Sequence, residues 1–346
     1  MQKSARKVMV MAFCLLMVAF VLHVGIGSSE WYKPWDVVIH ILRGSQPDDT
    51  ANSIIWGIRL PRAFQAALVG AILGVSGAAL QTLFRNQIAE PYIVGSSSGA
   101  AIGAVLVPMA LPLIRTWFHV PIESEDVFNQ FFQTLGMPAA GFVTGMLTLG
   151  LVMSLARRRG VIETPTLLLA GVVVATMLSS ILSFLILFSG QDQRVVLRWI
   201  MGGFETVFWY QVALVAVVFV FSYFVLHRMT QKLNAMSLGE EGAQALGVNP
   251  KKTRRSVLIC VTAMTSVTVG AVGIIGFVGL VAPHIARRLV GTDLRTTLPM
   301  SAIFGSLLML FADAVAQRGM QGSGFPVGIV TSIIGAPVLL VLLKRR

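Results

Sequence analysis

Two arginines three residues apart, Arg59 and Arg62 in the run RLPRAF, have a spacing suited to recognition. Residues so spaced share a helix face, so two permanently charged, fork-shaped donors are expected to project together into water. A partner's carboxylates or lipid headgroups would suit them. A second constellation is SLGEEGAQALGVNP, Ser237 to Pro250. Ser237 and Glu240 have capping-box spacing, Leu238, Ala243 and Leu246 an apolar stripe, and Gly247 with Pro250 a stop signal. The pattern predicts a short helix lying along the membrane, either docked in a groove of a partner or serving as a solvated linker. A third is RNQIAEPYIVGSSSGA, Arg85 to Ala100, where Asn86, Pro91, Gly95 and serines interrupt apolar sequence. Irregular backbone at membrane depth is tolerated where it is buried in protein or lines a cavity, so this break is expected beside a solute path.

Reaction chemistry is otherwise scarce. The chain is read as having no GxxxxGK[ST] phosphate loop, no HExxH and no GxSxG. The five histidines, His23, His40, His119, His227 and His284, are scattered without metal-ligand spacing and are read as structural or interfacial. Cys14 and Cys260 both fall in apolar runs, which argues against a disulfide framework. No catalytic or metal-binding residue is assigned. Ionisable groups near the apolar runs reduce to Glu205, Asp313, Arg85 and Glu90, too few for a strong proton or sodium relay.

The elements that must position these residues are membrane spans. With 55% hydrophobic against 12% charged residues and mean hydropathy +0.78, the chain has too little polar surface for a water-soluble globule. Apolar runs of roughly 20 residues, enough to cross about 30 Å of hydrocarbon, predict an all-α integral membrane protein of about ten helices in one domain, 1–346. The expected spans are Val8 to Ile26, Phe64 to Phe84, Ile93 to Leu113, Leu135 to Ala156, Thr166 to Phe188, Thr206 to Leu226, Val257 to Ile275, Phe277 to Val290, Leu298 to Val315 and Phe325 to Leu343. The first follows Lys3, Arg6 and Lys7 but is longer than a usual signal core. In GIIGFVGLVAPHIARRLVGTDLR, Gly273 to Arg295, glycines recur every third residue before Arg287 and Arg288, and Pro283 is expected to interrupt hydrogen bonding. The pairs Gly70/Gly74, Gly99/Gly103 and Gly141/Gly145 predict close helix packing.

Charge predicts orientation. Arg157, Arg158 and Arg159, the cluster Lys251, Lys252, Arg254 and Arg255, and the tail Lys344, Arg345 and Arg346 fall on the same side as the basic N-terminus, which places both termini in the cytoplasm. Glu30, Asp36, Asp48, Asp49, Glu123, Glu125 and Asp126 occupy the opposite loops. The net charge of +12 is spread over these loops rather than gathered on one face with aromatics, so it does not argue for nucleic acid.

Taken together, the chain resembles the FecCD-type, BtuC-like permeases of ABC importers for iron-siderophore complexes, haem and vitamin B12. The resemblance rests on RLPR with LVGAILGVSGAALQ, RNQIAEP, LLLAG at Leu167 to Gly171, WIMGG at Trp199 to Gly203, LGEEGAQALG, GIIGFVGLVAPHIARR and FPVGIVTSIIGAP, in family order across nearly the whole chain. It implies the type II importer permease fold of ten helices, a homodimer or a dimer of close relatives, and a path at the dimer interface. It also implies a bacterial or archaeal cytoplasmic membrane, two cytoplasmic ATPases that hold ATP and Mg, no cofactor on this chain, and an extracytoplasmic binding protein. By the same resemblance Leu238, Gly239, Glu240, Glu241, Ala243, Leu246 and Gly247 become the coupling element. Arg59, Arg62 and Arg318 become docking residues, and Asn86, Ile88, Thr164 and Pro165 gate or pathway residues. Near the C-terminus the chain departs from the family's ADxxAR and ELP: Gln317 follows Asp313 by four positions, with Arg318 next, and Gly324 and Phe325 precede Pro326. Iron-siderophore is the first expected cargo, then cobalamin and haem. An ATP-independent carrier and a membrane scaffold are the rival classes.

Overall fold

The structure, a computed structural model, describes residues 2–27, 31–46, 48–119, 121, 125–158, 161–188, 193–319 and 325–344. Glu30, Glu123, Arg159, Gly324, Arg345 and Arg346 lie outside them. The fold is all-helical apart from a minimal hairpin, β1 (Arg157–Arg158) and β2 (Val161–Ile162), between two spans. In chain order the helices are α1 (Gln2–Gly25), α2 (Pro34–Arg43), α3 (Thr50–Ile54), α4 (Leu60–Leu83), α5 (Ser96–Phe118), α6 (Glu125–Phe131), α7 (Met137–Leu155), α8 (Thr164–Phe188), α9 (Gln193–Ile200) and α10 (Trp209–Arg228). There follow α11 (Thr230–Met236), α12 (Glu240–Ala245), α13 (Pro250–Val272), α14 (Val278–Val290), α15 (Leu294–Arg318) and α16 (Val327–Lys344).

Among the described residues, eight helical stretches are long and apolar enough to cross a membrane. The other two expected runs are α14, whose 13 residues reach only about 20 Å, and α16, apolar over Val327–Val338. The boundaries move for identifiable reasons. The span expected from Phe64 begins at Thr50, because a π-helical turn, Ile55–Arg59, joins α3 to α4. There Leu60 N–H bonds Ile55 O, an i→i−5 step, just before Pro61, which has no N–H to give. The same arrangement recurs at Phe132–Gly136 ahead of Pro138, where Met137 N–H bonds Phe132 O. The basic cluster Lys251, Lys252, Arg254 and Arg255 lies inside α13 rather than in a loop, since Pro250 opens that helix and Asn249 caps it by accepting Lys252 N–H.

α4 is the central helix, buried along most of its length between α15, α14, α13 and α10. Its glycines permit this. A Cβ on Gly70 would lie 2.2 Å from Gly305 O, one on Gly74 2.1 Å from Ser301 O, and one on Gly77 1.9 Å from Gly279 O. The pairs Gly99/Gly103 and Gly141/Gly145 likewise press α5 onto α7 and α7 onto α13. Small residues thus bring backbones together where lipid offers no hydrophobic drive. Pro283 interrupts the hydrogen bonding as expected, while α14 remains helical through it. The Gly279 carbonyl, which residue 283 would normally satisfy, instead accepts Gln81 Nε2 from α4 at 3.0 Å.

Candidate functional site

Helix α4 sets the geometry, because its 24 residues separate Arg59 and Arg62 from the break at Arg85 by about 36 Å. At the Arg62 end, three helices converge on one buried carboxylate. Arg62 donates to Asp313 from Nε to Oδ2 at 2.9 Å and from Nη2 to Oδ1 at 2.7 Å. His23 Nε2 lies 2.8 Å from Oδ2, and Gln317 Nε2 donates to Oδ2 at 3.0 Å. Asp313 is 0% exposed, and such a desolvated charge persists only when paired and fully hydrogen-bonded.

Arg59 is buried as well, donating to Gly25 O at 2.9 Å and Val24 O at 3.3 Å, with its guanidinium 4.4 Å from the centre of the Tyr32 ring. The expectation that Arg59 and Arg62 project together into water is therefore corrected. α1 and α15 close over the start of α4, so one arginine ties α1 to α4 and the other ties α4 to α15. A cavity of about 210 Å³ remains beside them, lined by His23, Arg59, Arg62 and Gln317 among others. Arg318, the last residue of α15, is exposed.

At the opposite end, residues 237–250 form a compact turn–helix–turn, with two corrections. Ser237 makes no capping box: its hydroxyl donates to Asn234 O at 2.6 Å as α11 ends, and Gly239, φ +105°, precedes α12. The Glu240 carboxylate instead receives Arg254 Nη2 from α13. The apolar stripe also divides, with Ala243 buried and Leu238 and Leu246 exposed by 67% and 62%. Glu241 is exposed. The stop at Gly247 forms as read: Gly247 N–H bonds Gln244 O and Val248 N–H bonds Ala243 O, a Schellman pair with Gly247 at φ +75°.

Between α4 and α5 the break is irregular but satisfied. Asn86 N–H bonds Gln81 O, and Asn86 Oδ1 accepts Ile88 N–H at 3.1 Å. Glu90 Oε1 accepts the N–H of Phe277, which leads into α14 at φ +68°, so this break is stitched to a second one ahead of α14. Ile88 is 43% exposed. Thr164 and Pro165 open α8, and no hydrogen bond joins them to Asn86 or Ile88 among the described residues. The expectation of no GxSxG is corrected, since Gly95 to Gly99, GSSSG, has that spacing. It precedes and opens α5 without a preceding strand, and among the described residues no histidine bonds Ser97, so it is no nucleophile elbow.

Residues 15–345 match the FecCD transport family. The chain belongs to that family. A cobalamin import system permease protein, BtuC of Halobacterium salinarum, is 39% identical over 298 residues, 86% of this chain and 75% of that protein. A Fe(3+)-citrate import system permease protein, YfmE of Bacillus subtilis, is 32% identical over 351 residues, 99% of this chain and 98% of the other. Among solved structures, a metal-chelate-type ABC transporter in an inward-facing conformation superposes with TM-score 0.78 at 29% identity, covering 99% of this chain and all of that one. FecCD proteins are the non-catalytic permease components of ABC importers, and this member is a multi-pass membrane protein.

Sequence reasoning missed the partners of the residues it chose. His23, read as structural or interfacial, touches Asp313, which was noted only as a charge within a span. Arg254, counted with a loop cluster, reaches Glu240. Gln81 and Arg287 bond each other across 206 residues. No local pattern signals these pairs.

Proposed function

We propose that this FecCD protein is the membrane-spanning subunit of an ATP-driven importer of a bulky metal chelate. It works as a dimer by alternating access, with two ATPase subunits on the cytoplasmic side and a substrate-binding protein outside. The observation that carries this reading is the family match over residues 15–345. The segment at Leu238 to Gly247 suits docking of the ATPase, since Leu238 and Leu246 expose apolar side chains on either flank of a rigid short helix. Arg62, with Arg318 beyond it, suits the binding protein, while Arg59 supports that surface from within. Both termini lie in the cytoplasm of a bacterial or archaeal cell, as the basic loops favour.

The path is placed at the dimer interface. α8 supports this, being the least buried of the spans at 17%, and Thr176, Ser180 and Ser183 lie on exposed positions with each hydroxyl bonded to the carbonyl four residues earlier. Small polar groups of this kind give a chelate few fixed contacts. For cargo, the 39% identity to a cobalamin permease supports a corrinoid ahead of a ferric chelate, reversing the expected order.

The test is ATP hydrolysis in liposomes by this chain purified with its co-expressed ATPase, with binding proteins loaded with cobalamin, ferric citrate, ferric siderophore or haem. Stimulation by one loaded protein is expected and names the cargo. Absence of any co-purifying ATPase, with no stimulation, overturns the proposal in favour of an autonomous carrier.

A further inference from the structure

Between α1 and α15 runs a groove of about 470 Å³, and His23 is the one polar side chain in its described lining. Its rim includes Leu15, Leu22 and Phe311, all exposed, and the apolar stretch of α1 is only 22% buried. The lining extends from Leu15 to Ile26 on α1 and from Phe304 to Ala314 on α15. That is about 15 Å of helix, half of the roughly 30 Å hydrocarbon core. At one end the groove meets the 210 Å³ cavity beside Arg62, and His23 and Ile26 line both. This cavity has the opposite character: its described lining includes Arg59, Arg62 and Gln317 and no acidic side chain. Arg62 spends Nε and Nη2 on Asp313, and its Nη1 makes no hydrogen bond among the described residues. The buried His23 spends Nε2 on Asp313, and its Nδ1 is likewise unpartnered among them.

A cationic mouth joined to an apolar channel one leaflet deep matches the polarity of a phospholipid along its length. We propose that this is a binding site for one anionic phospholipid, its phosphate held at Arg62 and one acyl chain laid between α1 and α15. The donors that Asp313 leaves unused on the Arg62 guanidinium suit phosphate oxygens. Lipid leaving the bilayer for the groove gains no hydrophobic drive, so packing against the groove and charge at the mouth carry the affinity. A zwitterionic lipid brings the same phosphate with a cation attached, and is the weaker ligand. A lipid so placed bridges α1 and α15 beside the Arg62–Asp313 pair. The site is complete within one subunit and needs neither an ATPase nor a binding protein.

The test titrates the full chain, purified in detergent and stripped of lipid, with phosphatidylglycerol, phosphatidylcholine or glycerol phosphate, and counts bound ligand by native mass spectrometry. One phosphatidylglycerol per subunit is expected to bind at least about fivefold tighter than phosphatidylcholine, the worth of one charge at an anionic lipid. Ile58→Glu sets a carboxylate at the exposed edge of the small cavity and leaves the Arg62–Asp313 pair in place. It is expected to abolish that preference. Ala19→Trp fills the groove from a half-buried position on α1. It is expected to weaken phosphatidylglycerol at least about fivefold, the worth of roughly ten lost atom contacts. A phosphatidylglycerol with a photoreactive acyl chain is expected to label α1 or α15 along the groove. Equal affinity for the two lipids, or a preference that survives both substitutions, overturns the proposal. Glycerol phosphate binding as tightly as the lipid overturns it in favour of a free anion. Labelling of the groove in monomers but not in dimers overturns it in favour of a contact between copies.

Discussion

Each end of the molecule is built around a buried ion pair, and the two pairs are mirror images in exposure. At the Arg62 end the carboxylate is interior, 0% exposed, and the arginine is 21% exposed, whereas at the Glu240 end the arginine is interior and the carboxylate half exposed. Asp313 is surrounded by donors from α1, α4 and α15, so three helices depend on one group. Glu240 sits on a helix of six residues bounded by Gly239 and Gly247, both at positive φ. The first arrangement ties three helices to one group; the second ties one short helix to α13.

The largest effect expected is at the Arg62 end. Asp313→Ala leaves Arg62 and His23 beside an emptied interior site and should destabilise the subunit by about 3–5 kcal/mol, the usual result of breaking one side of a buried pair. Glu240→Ala should lose only about 1 kcal/mol, because water reaches the guanidinium from the side that the half-exposed carboxylate vacates. Thermal unfolding of both variants in the same detergent checks the contrast. Equal losses would abolish the distinction between the ends.

Between the ends, α4 transmits rigidity through glycine contacts and one repaired carbonyl. Gly77→Leu forces a side chain into Gly279 O and should destabilise by about 1–3 kcal/mol or prevent assembly, the range for overpacking. Gln81→Leu, which orphans Gly279 O and releases Arg287, should lose about 1–3 kcal/mol as a buried acceptor goes unpaired. Yield of folded subunit and its unfolding temperature read both. A neutral Gln81→Leu would mean that Pro283 needs no repair.

How much of this was legible in the sequence follows the range of the interaction. The apolar runs, the glycine pairs Gly70/Gly74 and Gly141/Gly145, and the stop at Gly247 were readable, since each is set by neighbours within a turn or two. The π turns before Pro61 and Pro138 were not, because they trade an i→i−4 bond for an i→i−5 bond with no change in hydrophobic pattern. Ser237 and Glu240 had capping-box spacing, but a charged competitor 14 residues along captured the carboxylate. Arg62 looked free because its partner lies 251 residues away. The segment Glu240–Ala245 was recognisable as a short helix, while its attachment to α13 was not.

The smallest effect expected sharpens the Glu240 end. Asp293 caps α15 by accepting Arg295 N–H at 2.9 Å and also receives Asn234 from α11. The Arg295 backbone bond, outweighing partial desolvation, and the Asn234 side chain hold its carboxyl below the ordinary 3.8. A depressed folded-state value stabilises above the unfolded one and the contribution is lost as pH falls through the folded one. Asp293→Asn should therefore unfold slightly below wild type at pH 7, and the difference should close as the pH is lowered past 3.8. A gap at Asp293 that is constant with pH would assign its role to the neutral cap alone, leaving α11 tied to α15 by hydrogen bonding without help from charge.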